Sequence, residues 1–358
     1  MFVLVTYVYF IICLLILFYT ISYIFYQWYD NQRQVKNTEK YVIFISEHQQ
    51  FLIEEEYKEP NHLKQLSKLL KNTKQLIAFE QALDQLKKNQ ILSSDYLKQI
   101  EPVIVRLIAN FQQKDQMKQA YLARFIATYA KDNWHDPLMY KTLISYLDNA
   151  TIFLRENVLA ATYQQADPKW IINVYHYLTD NNLFHHPKLI QDGLLDYPYN
   201  HELLIDTLWK HRHSFNQSIL LGIIGFITFT SDRYKKIFYN MLKTESLDLE
   251  VKTRLIRYFK KHHEPKATNL LISLASDRQD PIRIVTVFVL REYPSKNVIE
   301  TLKKALTDAN WHVRRNASQS LLAMNVPKED LLDVLHGHDR YAKEMLQYHL
   351  HMEGAINE

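Results

Sequence analysis

Residues 308–322 read Asp308-Ala-Asn-Trp-His-Val-Arg-Arg-Asn-Ala-Ser-Gln-Ser-Leu-Leu322, and their reading decides the fold. Shifting back 31 residues superposes DRQDPIRIVTVFVL (277–290) on DANWHVRRNASQSL (308–321). A second shift of the same size superposes SLDLEVKTRLIRYF (246–259). Three apolar columns recur: Val251, Ile282 and Val313; Leu255, Thr286 and Ala317; Phe259, Leu290 and Leu321. They fall at i, i+4 and i+8, one stripe of one helix. A basic column follows the first of them: Lys252, Arg283 and Arg314. Six residues before each basic residue stand Ser246, Asp277 and Asp308. The shift also pairs Leu220 with Val251, which extends the register back one unit. A fixed period of this length is the mark of a stacked helical array.

These residues resemble the HEAT-repeat family, whose units are two antiparallel helices with an Asp in the turn and a Val-Arg opening the second helix. Asp308 with Val313-Arg314 fits that pattern best, Asp277 with Ile282-Arg283 fits it, and Ser246 with Val251-Lys252 is a weakened copy. The resemblance implies that Asp277, Arg283, Asp308 and Arg314 form hydrogen-bonded ladders between neighbouring repeats and bind no ligand. It covers residues 216–323 clearly. Helix pairs near 115–163 and 168–196 have similar lengths without the signature. The expected fold is all-α: a single N-terminal transmembrane helix (1–28), a juxtamembrane helical region (29–92), a HEAT-like solenoid of antiparallel helix pairs (93–340) and a C-terminal tail or cap (341–358).

Composition agrees. The 358 residues include only 5 glycines, where average usage of roughly 7% would give about 25. Phosphate-cradling loops and hairpin-rich sheets both need close glycines. No G-x-G-x-x-G, G-x-x-x-x-G-K or G-x-S-x-G is present, which argues against nucleotide-fold enzymes and α/β-hydrolases. Proline punctuates the body, and the Asp-Pro pairs at Asp136, Asp167 and Asp280 are helix-start signals. One cysteine, Cys13, excludes a disulfide framework and a Cys-based zinc site.

Residues 2–26 carry no charge. At about 1.5 Å per residue they are long enough to cross roughly 30 Å of hydrocarbon. Tyr23, Tyr26, Trp28 and Tyr29 sit at its C-terminal end, where an aromatic belt belongs. The stretch lacks the basic n-region of a signal peptide and is longer than its apolar core. Arg33, Lys36 and Lys40 after the span, against Asp30 and Glu39, place the large C-terminal part on the cytoplasmic side. Further on, an amphipathic stripe runs from Leu63 to Leu86 behind the glutamates Glu54 to Glu56. It is expected to pack on the next domain, with membrane-surface binding as the alternative.

Candidate chemistry is sparse. The pairs His336/His338 and His349/His351 have too short a spacing to face one metal from a helix. No Ser/His/Asp order stands out, so neither an enzyme, a metal site nor a cofactor is expected. The functional signal is charge. Six basic residues lie between 252 and 266, opposed only by Glu264. On the family's pattern the Val-Arg helices line a concave face, which gives a partner-binding basic stripe of Arg254, Arg257, Lys261, Arg291 and Arg315. Such a stripe suits an acidic protein segment or a phosphate-bearing ligand. Tyr177, Trp209 and Trp311 are candidate exposed anchors, but Trp311 precedes a repeat helix and is expected rather to pack between repeats.

The expected function is a membrane-tethered, non-enzymatic scaffold that binds another protein, such as a membrane enzyme or complex, at the cytoplasmic face. Few glycines with abundant Lys, Ile, Asn and Tyr suggest an AT-rich bacterial genome. The arrangement looks like single-span HEAT-repeat proteins of such bacteria, which implies a role beside envelope or polysaccharide-synthesis enzymes. Two alternatives share the repeats: a nucleic-acid binder of the DNA-glycosylase type, and a lyase-type enzyme that handles a chromophore. Net charge is only +4, which speaks against nucleic acid.

Overall fold

A computed structural model describes residues 2–53 and 60–356; the glutamates at 54–56 lie outside the described residues. Every regular element described is helical. The chain divides into two compact units, 1–170 and 171–358.

In the first unit, α1 (Phe2–Ile53) is one uninterrupted helix of 52 residues. It is followed by α2 (Pro60–Leu69), α3 (Thr73–Lys88), α4 (Ser94–Gln99), α5 (Glu101–Phe111), α6 (Gln116–Tyr129), α7 (Pro137–Ser145) and α8 (Ile152–Tyr163). Helix α1 is long and apolar enough to cross a membrane, with a mean hydropathy of 2.4 over its most apolar window. No break occurs at residue 28. The polar half of the same helix lies along α3. There Lys74 pairs with Asp30 at 2.6 Å, Thr38 Oγ1 donates to Gln81 at 2.9 Å, and the buried Tyr41 meets Phe79 edge-on. Helices α3, α6 and α8 lie side by side in one layer, and α2, α5 and α7 in another. The apolar stripe from Leu63 to Leu86 is two helices, because Asn72 takes extended backbone and its side chain caps α3 at Gln75 N.

The second unit opens with α9 (Lys169–Asp180), α10 (Pro187–Leu195), α11 (His201–Lys210), α12 (Gln217–Thr230), α13 (Lys235–Thr244) and α14 (Leu249–Lys261). It continues with α15 (Thr268–Leu274), α16 (Asp280–Val289), α17 (Lys296–Ala305), α18 (Trp311–Ala323), α19 (Leu332–Leu335) and α20 (Arg340–Ile356). Helices α10, α12, α14, α16, α18 and α20 pack in series, each on the next. From α11 on, the odd-numbered helices form hairpins with them, giving a two-layer stack in which each hairpin buries its apolar face only against neighbours. Starts at Leu249, Asp280 and Trp311 keep the 31-residue register. Helix α12 starts at Gln217, one residue out of that register, so buried Ile219 matches Val251 and the half-buried Leu220 does not.

Two devices let this unit do with few glycines. Large rings fill the core: Tyr175, Tyr258, Phe226, Phe238 and Phe259 are fully buried. Left-handed positions after helices fall to other residues, Asn182 (φ 52°) and Asn325 (φ 54°) here and Gln90 (φ 59°) in the first unit. Each closes a hairpin helix with a 6→1 hydrogen bond, from Leu183, Val326 and Ile91 respectively. Glycine is kept for close approach. A Cβ at Gly222 or Gly225 would collide with Ile190 or Gln191, so these two let α12 press onto α10.

Candidate functional site

The second unit carries both the ladder and the basic residues. Asp277 and Asp308 sit in the turns before α16 and α18. Lys252 Nζ reaches Asp277 at 2.8 Å. Arg283 holds Asp308 with both edge nitrogens, Nε at 2.7 Å and a terminal nitrogen at 2.9 Å. Each rung therefore joins one repeat to the next. Burial pushes both carboxyls up, but the hydrogen bonds from Lys252 and Arg283 outweigh it and hold them below the usual carboxylate range. Arg314 anchors on the backbone carbonyls of Asp308 and Ala309.

The expected basic stripe divides. Arg254 and Arg257 on α14 line two neighbouring clefts. One, of about 590 Å³, is shared with Phe184, Gln217 and Leu221. The other, of about 450 Å³, is shared with Gln191, Phe229, Lys260, Lys261 and Phe288. Lys261 lies over the ring of Phe229 at 4.8 Å and donates to that residue's carbonyl. Lys260 and Arg291 both lie against Phe288, at 4.3 and 4.1 Å from its centroid. Arg291 thus joins the group through a shared ring. Arg315 does not: it lies over Trp311 and lines a separate cleft between α18 and α20.

Charge is unbalanced in this groove. Among the described residues Arg254, Arg257, Lys260, Lys261 and Arg291 take part in no ion pair, whereas Lys252, Arg283 and Lys303 on the same unit all do. Burial, and then the neighbouring Arg257, lowers the Arg254 pKa from its ordinary value, although Glu250 opposes the shift. Burial also lowers that of Arg291, although Glu292 opposes the shift. Cations held close together, partly desolvated and with Glu250 and Glu292 near but not ion-paired to them attract an anionic ligand.

Lys260 lay outside the expected stripe, and Phe229 and Phe288 were not foreseen. Their sequence signal is an aromatic at the end of one repeat helix facing a Lys-Lys pair on the next. Trp209 is buried against Tyr234 and Phe238 and so is no surface anchor. Trp311 is 49% exposed rather than packed between repeats. Tyr177 is half-buried. His349 is buried with its Nδ1 at 3.0 Å from Ser318 Oγ, while His336, His338 and His351 are exposed. Among the described residues no three His, Cys, Asp or Glu side chains are grouped to hold a metal ion.

Residues 267–348 match the family model described as HEAT repeats. No curated protein matches the chain. The matched stretch runs from the turn before α15 into α20 and contains the ladder residues Asp277, Arg283, Asp308 and Arg314.

Proposed function

We propose that this HEAT-repeat chain is a membrane-anchored, non-catalytic scaffold whose α12–α16 groove binds an acidic segment of a partner protein. HEAT repeats serve protein interaction in general, and the groove supplies the chemistry of this one. The observation that carries the reading is the set of five cations without ion pairs around Arg254 and Arg257. The three guanidinium groups in the set, Arg254, Arg257 and Arg291, offer planar donors matched to carboxylates. Nucleic acid is a poorer fit. Its bases stack on open aromatic faces, and here Lys260, Lys261 and Arg291 occupy the faces of Phe288 and Phe229.

The anchor reading rests on α1. Its apolar half is exposed from Tyr7 to Tyr29, and its polar half is held to α3 by the Tyr41, Thr38 and Asp30 contacts. A removable leader gains nothing from being one helix with a packed element of the body. On the charge bias of Arg33, Lys36 and Lys40 the body faces the cytoplasm. A membrane enzyme or complex of the cell envelope, on the same face, is the partner this arrangement suits.

The test is cross-linking of the tagged full chain in cells, beside Arg254→Glu/Arg257→Glu and a version lacking residues 1–26. One membrane protein captured by the full chain and lost from both variants is the expected result. The double variant should unfold within a few degrees of the parent. Capture of the same protein by the charge-reversed chain refutes the groove, and nucleic-acid proteins captured without the anchor refute the scaffold.

A further inference from the structure

The ladder stops at α18, and what it leaves open is a second site. Arg283 and Arg314 occupy the same register and are anchored alike. One terminal nitrogen of Arg283 donates to the carbonyls of Asp277 at 2.9 Å and Arg278 at 3.3 Å. The matching nitrogen of Arg314 donates to those of Asp308 at 2.7 Å and Ala309 at 3.0 Å. In Arg283 the remaining edge grips Asp308 with two hydrogen bonds. In Arg314 that edge is unanswered: Nε is buried without a hydrogen-bond partner, and the guanidinium forms no ion pair among the described residues.

By register the answering residue is Asp339, 31 positions after Asp308. Its Oδ1 instead accepts from Ala342 N at 2.8 Å and caps α20. Tyr341 takes the place beside Arg314, its ring centroid 5.2 Å from the guanidinium. Buried donors without acceptors are uncommon and costly.

Arg314 also lines a cleft of about 730 Å³ between α18 and α20, together with Trp311, Arg315, Tyr341, Tyr348 and Met352. Tyr341 is 65%, Tyr348 59% and both Trp311 and Met352 49% exposed. Among the described residues the one acid in its wall is Glu344, paired with Arg340 at 2.6 Å. The cleft is thus mainly apolar and aromatic, with the guanidinium groups of Arg314 and Arg315, which form no ion pair among the described residues, at one side.

We propose that this cleft binds a helical segment of a partner protein carrying one aspartate or glutamate among leucine-like side chains. The carboxylate pairs with the guanidinium of Arg314 beside the Tyr341 ring. The apolar side chains lie on Trp311, Tyr348 and Met352, the mode of an amphipathic helix in a groove. The site uses none of the α14 cations and stands independently of the groove they form.

The experiment uses the full chain in detergent micelles with 15N-labelled arginine. Two capped helical peptides rich in leucine, identical except for a central Asp or Asn, are the probes. The Asp peptide is expected to move the Arg314 Nε–H resonance, assigned by its loss in Arg314→Gln, and to bind about tenfold more tightly than the Asn peptide. Arg314→Gln should erase that preference. Tyr348→Ala should weaken both peptides while keeping it, and Arg254→Glu/Arg257→Glu should leave it unchanged. Equal affinity for the two peptides overturns the proposal, as does an Arg314 resonance that neither of them moves.

Discussion

Replacing Asp308 by alanine breaks a rung of the ladder at its best-formed point. The carboxylate loses two hydrogen bonds from Arg283 and one from Asn310 N at 2.8 Å. Both side chains are only 14% exposed, so water cannot replace what is lost. Removing one partner of a buried pair costs about 3–5 kcal/mol. Residual exposure and the carbonyls that still hold Arg283 lower that figure to about 3 kcal/mol. A double-mutant cycle with Arg283→Ala should give a coupling of about 2 kcal/mol. Arg340→Ala, from a pair 82% and 53% exposed, is the control and should cost at most about 0.5 kcal/mol. Stacked repeats unfold in parts, so the assay is hydrogen exchange read peptide by peptide under native conditions. Protection should fall in α15–α18 and change little in α1–α8. The folded pKa of Asp308 lies below its unfolded value of about 3.9. Its contribution is therefore complete above pH about 4 and lost as the pH falls through the lower folded value. A coupling below about 0.5 kcal/mol, or protection lost evenly over the whole chain, would refute the ladder as the cement between repeats.

Two further substitutions test other parts of the fold. His62 is buried against the His48 ring, and burial followed by that neighbour's charge depresses its pKa to about 3. The unfolded chain then binds the extra proton between pH about 6.5 and 3, so the first unit should lose stability as the pH falls through that window. His62→Phe should flatten this dependence in thermal melts, and an unchanged profile would show that His62 titrates freely. Gln90 holds a left-handed backbone at φ 59° without the freedom of glycine. Gln90→Gly should raise stability by about 0.5 kcal/mol in denaturant titrations, and a loss would mean the side chain makes contacts that offset its strain.

The repeats were legible because their signal is local and repeated. Val251, Ile282 and Val313 are all buried, and Asp308 meets Arg283 as the Asp and Arg columns imply. One residue of drift was enough to spoil the extrapolation to Leu220, because period 31 is not a geometric constant but a sum of loop lengths. Between Leu63 and Leu86 the stripe continued across a cap, since apolar spacing alone does not separate one helix from two in phase. The groove was half legible. Runs of Arg and Lys show in sequence, but whether each cation finds an acid or a ring depends on side-chain direction across helices. That is why Lys260, seen in the basic run, was left out of the stripe, why Phe288 was missed and why Arg315 belongs elsewhere. Aromatic residue type says nothing of burial, so Trp209 and Trp311 exchanged their expected places.

The continuity of α1 has a mechanical consequence. Tyr29, still in the apolar half, is adjacent to Asp30, which already grips Lys74 on α3. With the apolar half in a bilayer as proposed, no slack chain separates lipid from the first unit. Flexible linkers let a tethered domain sweep a hemisphere of radius set by their length; a stiff helix removes that freedom. The first unit rides at a fixed height above the headgroups, and a tilt or roll of the helix within the membrane becomes the same tilt or roll of α3. A partner of this unit must then present its surface at that height, and a change in bilayer thickness would act on the contact as a lever acts on its load.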